Sequence, residues 1–112
     1  MDFEFYKNAF DAIETKHLTN DDGSIHVSEM IIDGAMFHFH EEVAHHSTFG
    51  PGKYNGVTTI IGLMVADVDT VMNRALAAGA RETSPAQDYD YGYRQGELVD
   101  PLGHHWLIEM VI

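Results

Sequence analysis

The hydrophobic and polar positions of this chain follow two different periods, which separate its helices from its strands. Apolar side chains recur at helical spacing in residues 3–13, so this segment is predicted to form a helix. A second helical stripe runs from Val68 to Leu76. Asp67 precedes this stripe as a candidate N-cap, and Gly79 follows it as a candidate stop. The pattern therefore predicts two amphipathic helices.

Runs of β-branched and apolar residues between turn signals predict the strands. The predicted strands span residues 14–19, 25–32, 35–41, 57–65, 80–87, 91–99 and 104–112. Asp33-Gly34 favours a two-residue hairpin, and Asp100-Pro101-Leu102-Gly103 favours a tight turn. Pro85 cannot donate a backbone hydrogen bond, so its strand is predicted at a sheet edge.

The chain contains an internal repeat, which divides it into two halves. Residues 10–14 match residues 78–82 at an offset of 68, and Gly34 matches Gly103 at an offset of 69. Each half reads as a helix followed by three strands, but only the second half has a strand before its helix. We predict one domain over residues 1–112, with a truncated first module (1–46), a linker (47–56) and a second module (57–112).

Charge and composition narrow the classes of partner. Six Lys and Arg residues stand against 18 Asp and Glu residues, which gives a net charge of −12. Such a surface repels phosphate backbones and anionic lipids, so we expect neither nucleic-acid nor membrane binding. The chain has no cysteine, and no apolar run approaches the ~20 residues that span a bilayer. The N-terminus shows no signal-peptide pattern, so a cytoplasmic location is expected.

The segment YGYRQGELVDPLGHHW, from Tyr91 to Trp106, resembles the closing hairpin of the vicinal oxygen chelate superfamily. This superfamily includes glyoxalase I, bleomycin and fosfomycin resistance proteins and extradiol dioxygenases, and the chain is most similar to its PhnB-like branch. The resemblance implies an α+β fold of paired βαβββ modules (glyoxalase/bleomycin resistance/dioxygenase-like), here with the first strand of module one missing.

The missing strand leaves an unpaired edge or a gap in the first sheet, and three arrangements remain open. The protein begins upstream, the strand from Val57 closes the space differently, or a second chain covers it. We expect a homodimer, because the superfamily often builds its cavity from two chains. A further hypothesis is that the protein is an assembly subunit, whose open sheet edge recruits another partner.

The resemblance also implies where metal ligands would lie, on the first and last strands of each module. The first strand of module one is absent, and the other three positions fall on His38, Ile60 and Leu107. A catalytic metal needs about three protein ligands, so we expect that the usual metal site is lost and that no cofactor is bound. The alternative is a divalent-metal-dependent lyase or isomerase of the glyoxalase I kind, with His38, His40 and Glu109 as altered ligands.

We therefore expect a protein that binds a small molecule in a concave pocket of the sheets. The predicted contacts are His38, His40, Tyr91, Tyr93, Arg94, Trp106 and Glu109. Tyrosine and tryptophan offer flat apolar faces with polar donors, although strands are commonly aromatic for packing alone. Arg94 has a second interpretation, in which it braces its loop by pairing with Asp100 or Asp90. The fold hosts both enzymes and binding proteins, so it does not decide between the two functions.

Overall fold

The computed structural model describes residues 3–42, 49–53 and 56–112. Its elements follow in this order: α1 (Glu4–Phe10), β1 (Ile13–Thr19), β2 (Ile25–Ile32), β3 (Ala35–Phe39), a short 3-10 helix (Pro51–Lys53), β4 (Ile61–Met64), α2 (Val68–Ala77), β5 (Arg81–Tyr89), β6 (Tyr93–Val99) and β7 (His105–Val111). The predicted α+β class is confirmed. Within the described ranges, neither helix combines the length and apolarity that crossing a bilayer requires.

The first helix ends three residues earlier than predicted, because its last predicted turn becomes a cap. Asp11 adopts the left-handed conformation with φ 55°. The backbone N–H groups of Asp11 and Ala12 both donate to the carbonyl of Tyr6, the second at 3.1 Å, which satisfies a carbonyl at the end of the helix. Asp11 thus takes the place that Gly79 holds at the end of α2, where φ is 112°. The chain then enters β1 directly.

The strands form two separate sheets. The first has the order β1-β2-β3 and is antiparallel. Asp33 and Gly34 both have positive φ, which is the backbone of the predicted two-residue hairpin between β2 and β3. The second sheet has the order β4-β7-β6-β5, with β4 parallel to β7. Pro85 lies on β5, an edge strand, as predicted.

The two sheets differ at one position. In the second sheet β4 pairs with β7, whereas in the first no described strand takes the corresponding place beside β3. The strand predicted over residues 57–65 spans only Ile61–Met64, because only these four residues find ladder partners in β7. The predicted linker 47–56 lies partly outside the described residues.

One hydrophobic core joins both halves, and α1 lies at its centre. The Tyr6 ring lies 4.8 Å from the Phe39 ring on the first sheet, and the Phe10 ring lies 4.8 Å from the Trp106 ring on the second. The other helix packs on the second sheet, where the absence of a side chain at Gly96 admits Met72. The helices therefore cover one face of the sheets, and the opposite face carries the exposed residues.

Candidate functional site

Strand alternation in β6 and β7 sorts the candidate site residues onto two faces. Leu98, Trp106 and Ile108 are buried beneath the helices. Tyr93 pairs with Val111, and Gln95 pairs with Glu109, on the opposite face. This face carries polar and aromatic side chains that the core does not use.

Three tyrosines meet at the hairpin between β5 and β6. The rings of Tyr89 and Tyr91 stack with centroids 5.4 Å apart, and the Tyr93 ring lies 5.9 Å from the Tyr91 ring. Gly92, with φ 92°, allows the tight turn that brings them together. Tyr91 is 59% exposed, which leaves much of its ring open to solvent.

A chain of hydrogen bonds connects these tyrosines to a carboxylate. The Tyr91 hydroxyl donates to Gln95 Oε1, and Gln95 Nε2 donates to Glu109 Oε1 at 2.8 Å. The second carboxylate oxygen, Oε2, accepts no hydrogen bond from the described part of the chain and lies over Gly62, where a Cβ would approach it to 2.9 Å. We call this surface, formed by Tyr89, Tyr91, Tyr93, Gln95 and Glu109, the tyrosine–glutamate face.

The surroundings of Tyr91 are negative. The pKa of its phenol is raised, mainly by desolvation and next by the neighbouring Tyr89. The acidic groups Glu109, Asp90 and Glu97 raise this pKa further, because they oppose another negative charge nearby. Tyr91 therefore stays protonated and keeps donating to Gln95.

Trp106 does not lie on this face, which corrects its prediction as a pocket residue. Its side chain is only 1% exposed, because alternation along β7 turns it toward the helices. The indole Nε1 donates to Asp100 Oδ2 at 2.8 Å. Trp106 is therefore a core residue whose polar atom has a partner inside the protein.

Asp100 is the centre of a buried network that the sequence did not reveal. It is 3% exposed and accepts four hydrogen bonds. Besides Trp106, the donors are the Tyr6 hydroxyl at 2.6 Å and the backbone N–H groups of Leu102 and His104 at 2.8 and 3.1 Å. Burial raises the pKa of Tyr6, and the Asp100 charge adds to the rise. The network fastens α1 to the last hairpin.

Arg94 also lies on the helix-covered side, and its predicted partners were wrong. Its guanidinium binds Asp69 of α2 through two hydrogen bonds of 2.9 Å and Asp88 of β5 through a third, also of 2.9 Å. These hydrogen bonds raise the pKa of Arg94, and those to Asp69 contribute most. Arg94 thus braces α2 against the sheet, while Asp100 and Asp90 do not bind it. Because its guanidinium lies on the helix-covered side, Arg94 does not join the exposed face, where a ligand contact was predicted for it.

His38 and His40 lie on the first sheet, apart from Glu109 on the second. Their rings are 6.4 Å apart, and His38 Nε2 lies 2.8 Å from Glu29 Oε2. Among the described residues, no three His, Asp or Glu side chains form a group that could hold a metal ion. The structure therefore does not assemble the alternative ligand set of His38, His40 and Glu109. That no cofactor is bound stays a prediction.

A cavity of about 570 Å³ lies elsewhere, beside His104 and residues 49–51 and 56–59. It is open to solvent. None of the predicted ligand contacts lines it. The predicted contacts that share an exposed surface of the second sheet are Tyr91, Tyr93 and Glu109.

Comparison with known proteins places the chain among relatives from mycobacteria. It is 34% identical over 106 residues to the uncharacterized protein Mb0911c of Mycobacterium bovis and to Rv0887c of Mycobacterium tuberculosis. The match covers 92% of this chain, but only 70% of the first protein and 62% of the second. The sequence matches no protein-family model.

Solved structures show the same fold. A glyoxalase/bleomycin resistance protein/dioxygenase family enzyme from Burkholderia phytofirmans superposes with a TM-score of 0.74 at 19% identity, over 97% of this chain and 87% of its own. This is the glyoxalase/bleomycin resistance/dioxygenase fold. Because it is 34% identical to Mb0911c over 70% of that protein, the chain belongs to the family of these mycobacterial proteins.

Two further structures with this fold extend the comparison. A gene product of Arabidopsis thaliana matches with a TM-score of 0.72 at 28% identity, over 93% of this chain and 81% of that one. A PhnB protein from Bacillus cereus matches with a TM-score of 0.65 at 21% identity, over 96% of this chain and 87% of that one. The predicted glyoxalase/bleomycin resistance/dioxygenase-like fold is thereby confirmed.

Proposed function

We propose that this protein is a member of the vicinal oxygen chelate superfamily and that it binds a small molecule on the tyrosine–glutamate face. The observation that supports the proposal is an exposed, aromatic surface with an ordered polar chain across its middle. Tyr91 remains 59% exposed although it stacks on Tyr89, and Met64 and Val111 add exposed apolar side chains on neighbouring strands. Apolar surface with a few fixed polar groups is typical of ligand sites.

The fold itself leaves the reaction open. The Burkholderia neighbour is named for a family that includes both an enzyme and a bleomycin resistance protein, so both kinds of activity occur with this fold. No observation on the described residues favours the metal-dependent lyase over a binding protein. Binding without the usual metal is therefore the function that we propose.

A homodimer is a further part of this proposal, together with a cytoplasmic location. The support for the dimer is the edge of β3, beside which no described strand lies. Open strand edges pair readily with another chain. Sedimentation at micromolar concentration tests this part separately, and a monomer would contradict it.

Titration with a library of small aromatic fragments, followed by amide NMR shifts, tests binding on the tyrosine–glutamate face. We expect binders to shift the amides of Tyr93 and Glu109 and the side-chain amide of Gln95. Tyr91→Ala should weaken binding by about fivefold, because it removes one face of the aromatic pair. Met36→Ala is a matched control, since Met36 is also 59% exposed but lies on the other sheet. Shifts confined to other surfaces would contradict the proposal.

A further inference from the structure

We propose that the tyrosine–glutamate face selects organic cations, namely an amine that is protonated or quaternary and is carried on a flat apolar body. The inference rests on the proposed binding function and specifies the chemical class of its ligand. Four features of the face support it: the direction of its hydrogen bonds, the location of the basic side chains, the stacked tyrosines and the neighbouring apolar residues.

The hydrogen-bond chain has a direction, and it ends in an acceptor. The Tyr91 hydroxyl uses its only proton on Gln95, whose amide then donates to Glu109. The outer end of the chain is Glu109 Oε2, which has no donor from the described residues. Because the Tyr91 proton and one Gln95 N–H are used within the chain, the hydrogen-bond chain itself presents a carboxylate oxygen to a ligand. A ligand that donates or carries positive charge complements this oxygen, whereas a carboxylate or phosphate does not.

No cation near the face offsets this charge within the described residues. Arg94 belongs to the same strand as Tyr93 but points to the other side, where two carboxylates bind it. Arg81 is at the opposite end of β5 from Tyr89, roughly 26 Å away along an extended strand. Lys16 lies on the first sheet. An anionic ligand would therefore meet uncompensated negative charge.

The tyrosines supply the second half of the recognition. Tyr89 and Tyr91 stack with their planes 23° apart, which leaves an outer ring surface for a flat ligand or a cation. Met64 pairs with Glu109 in the ladder, and Val111 pairs with Tyr93, so exposed apolar side chains flank the carboxylate. A cation attached to an apolar body can contact both kinds of group at once.

Three probes of similar size and different charge test the inference: benzyltrimethylammonium, benzyl alcohol and phenylacetate. Each is titrated into the full chain while amide NMR shifts report where it binds. We expect benzyltrimethylammonium to shift the amides of Tyr93 and Glu109 and the side chain of Gln95, with the highest affinity of the three. Phenylacetate should bind most weakly, and added salt should weaken only the cation.

Two variants with the same change in charge localise the effect. Glu109→Gln should lower the affinity for benzyltrimethylammonium by about fivefold while binding of benzyl alcohol stays unchanged. Glu82→Gln is the control, because Glu82 is exposed on β5 and pairs with the core residue Leu98, on the other face. Equal losses in both variants would overturn the inference, since they would reflect net charge alone.

The outcomes separate this inference from the proposed function. If all three probes bind the face with similar affinity, or phenylacetate binds best, charge selection is wrong and small-molecule binding stands. If no probe and no library fragment shifts the face, the proposed function fails and the inference fails with it. Preference for the cation that Glu109→Gln abolishes and Glu82→Gln preserves would support both.

Discussion

Tyr6→Phe is the sharpest test of the buried network around Asp100. The substitution keeps the ring, with its contacts to Phe39 and Trp106, and removes only the hydroxyl that donates to Asp100 at 2.6 Å. Asp100 Oδ2 then retains one donor, the indole of Trp106. The change therefore measures one hydrogen bond to a buried carboxylate with little change in packing.

The expected loss follows from the charge of the acceptor. A hydrogen bond to an ionised group contributes about 2 kcal/mol to stability, more than a neutral one, and Asp100 is almost fully buried. For a domain of this size, such a loss lowers the melting temperature by about 8 °C. Tyr91→Phe is the matched control, because it removes the same hydroxyl from an exposed ring and should change the free energy of unfolding by less than about 0.5 kcal/mol.

Urea unfolding followed by tryptophan fluorescence is the appropriate assay. Trp106 is the only tryptophan of the chain and belongs to the network, so its emission reports directly on the site of the change. If Tyr6→Phe and Tyr91→Phe have the same stability, the hydrogen bond to Asp100 does not contribute as described. A changed dependence on urea would instead mean that the substitution altered the compactness of one state.

The same network predicts a loss of stability in alkali. Burial and the Asp100 charge raise the pKa of Tyr6 above its ordinary value of 10.0, so the unfolded chain ionises first. The contribution of Tyr6 is complete below that value and decreases as the pH rises above it. Unfolding free energies measured at neutral pH and at about pH 11 should therefore fall less in Tyr6→Phe than in the wild type. An identical decrease in both proteins would refute this assignment.

Three further substitutions test other parts of the structure, each by urea unfolding. Gly96→Ala should lower the free energy of unfolding by about 1–3 kcal/mol, because the added Cβ would lie 3.0 Å from two atoms of Met72 in the core. An unchanged free energy of unfolding would show that the side chain of Met72 moves aside without cost. Ser28→Ala should cost about 1 kcal/mol and raise the pKa of Glu14, which the 2.5 Å hydrogen bond from Ser28 lowers. A lowered pKa of Glu14 stabilises the folded protein at pH values above the ordinary value of 4.5, and this stabilisation is lost as the pH falls. The free energy of unfolding of Ser28→Ala should therefore fall less on acidification than that of the wild type. Arg94→Lys should lower the free energy of unfolding by less than about 1 kcal/mol and should bind benzyltrimethylammonium as the wild type does. Weaker binding would mean that Arg94 contacts the ligand after all.

Local signals in the sequence determined most of the fold. Asp67 caps α2 as predicted, with its Oδ1 accepting from the backbone N–H of Thr70 at 3.2 Å. Asp100 and Gly103 close the predicted turn, with φ 94° at Gly103. These features depend on one or two residues and their neighbours, so a single sequence carries them. The extent of the strand before α2 depends on its ladder with β7, and the sequence overestimated it.

The candidate site was predicted only in part, because its geometry depends on which side of a strand each residue occupies. Tyr91, Tyr93 and Glu109 were predicted, and they share the exposed face. Arg94 and Trp106 were assigned to that face as well. Arg94 is one residue from Tyr93 and Trp106 is three residues from Glu109, and residues an odd number of positions apart in a strand point to opposite faces. Strict alternation from Tyr93 and Glu109 would have placed both on the core side. The parity of these positions was the available signal.

Gln95 and Asp100 were missed for a different reason. The role of each comes from partners that are distant in sequence or placed by the register of paired strands. Gln95 lies opposite Glu109 across the ladder, and Asp100 receives a proton donor from Tyr6, 94 residues away. No local pattern announces either contact.

The bond between Tyr6 and Asp100 also constrains how the protein acquires its structure. The helix that carries Tyr6 is synthesised before its carboxylate partner and Trp106, which follow Tyr6 by 94 and 100 residues. Contacts of such long range slow folding, because the chain must close a large loop before they form. Until the last hairpin is made, the aromatic side of α1 lacks its contacts with Trp106. Apolar side chains that stay exposed during synthesis are prone to aggregate, so α1 is the part of the nascent chain that we expect to be most vulnerable.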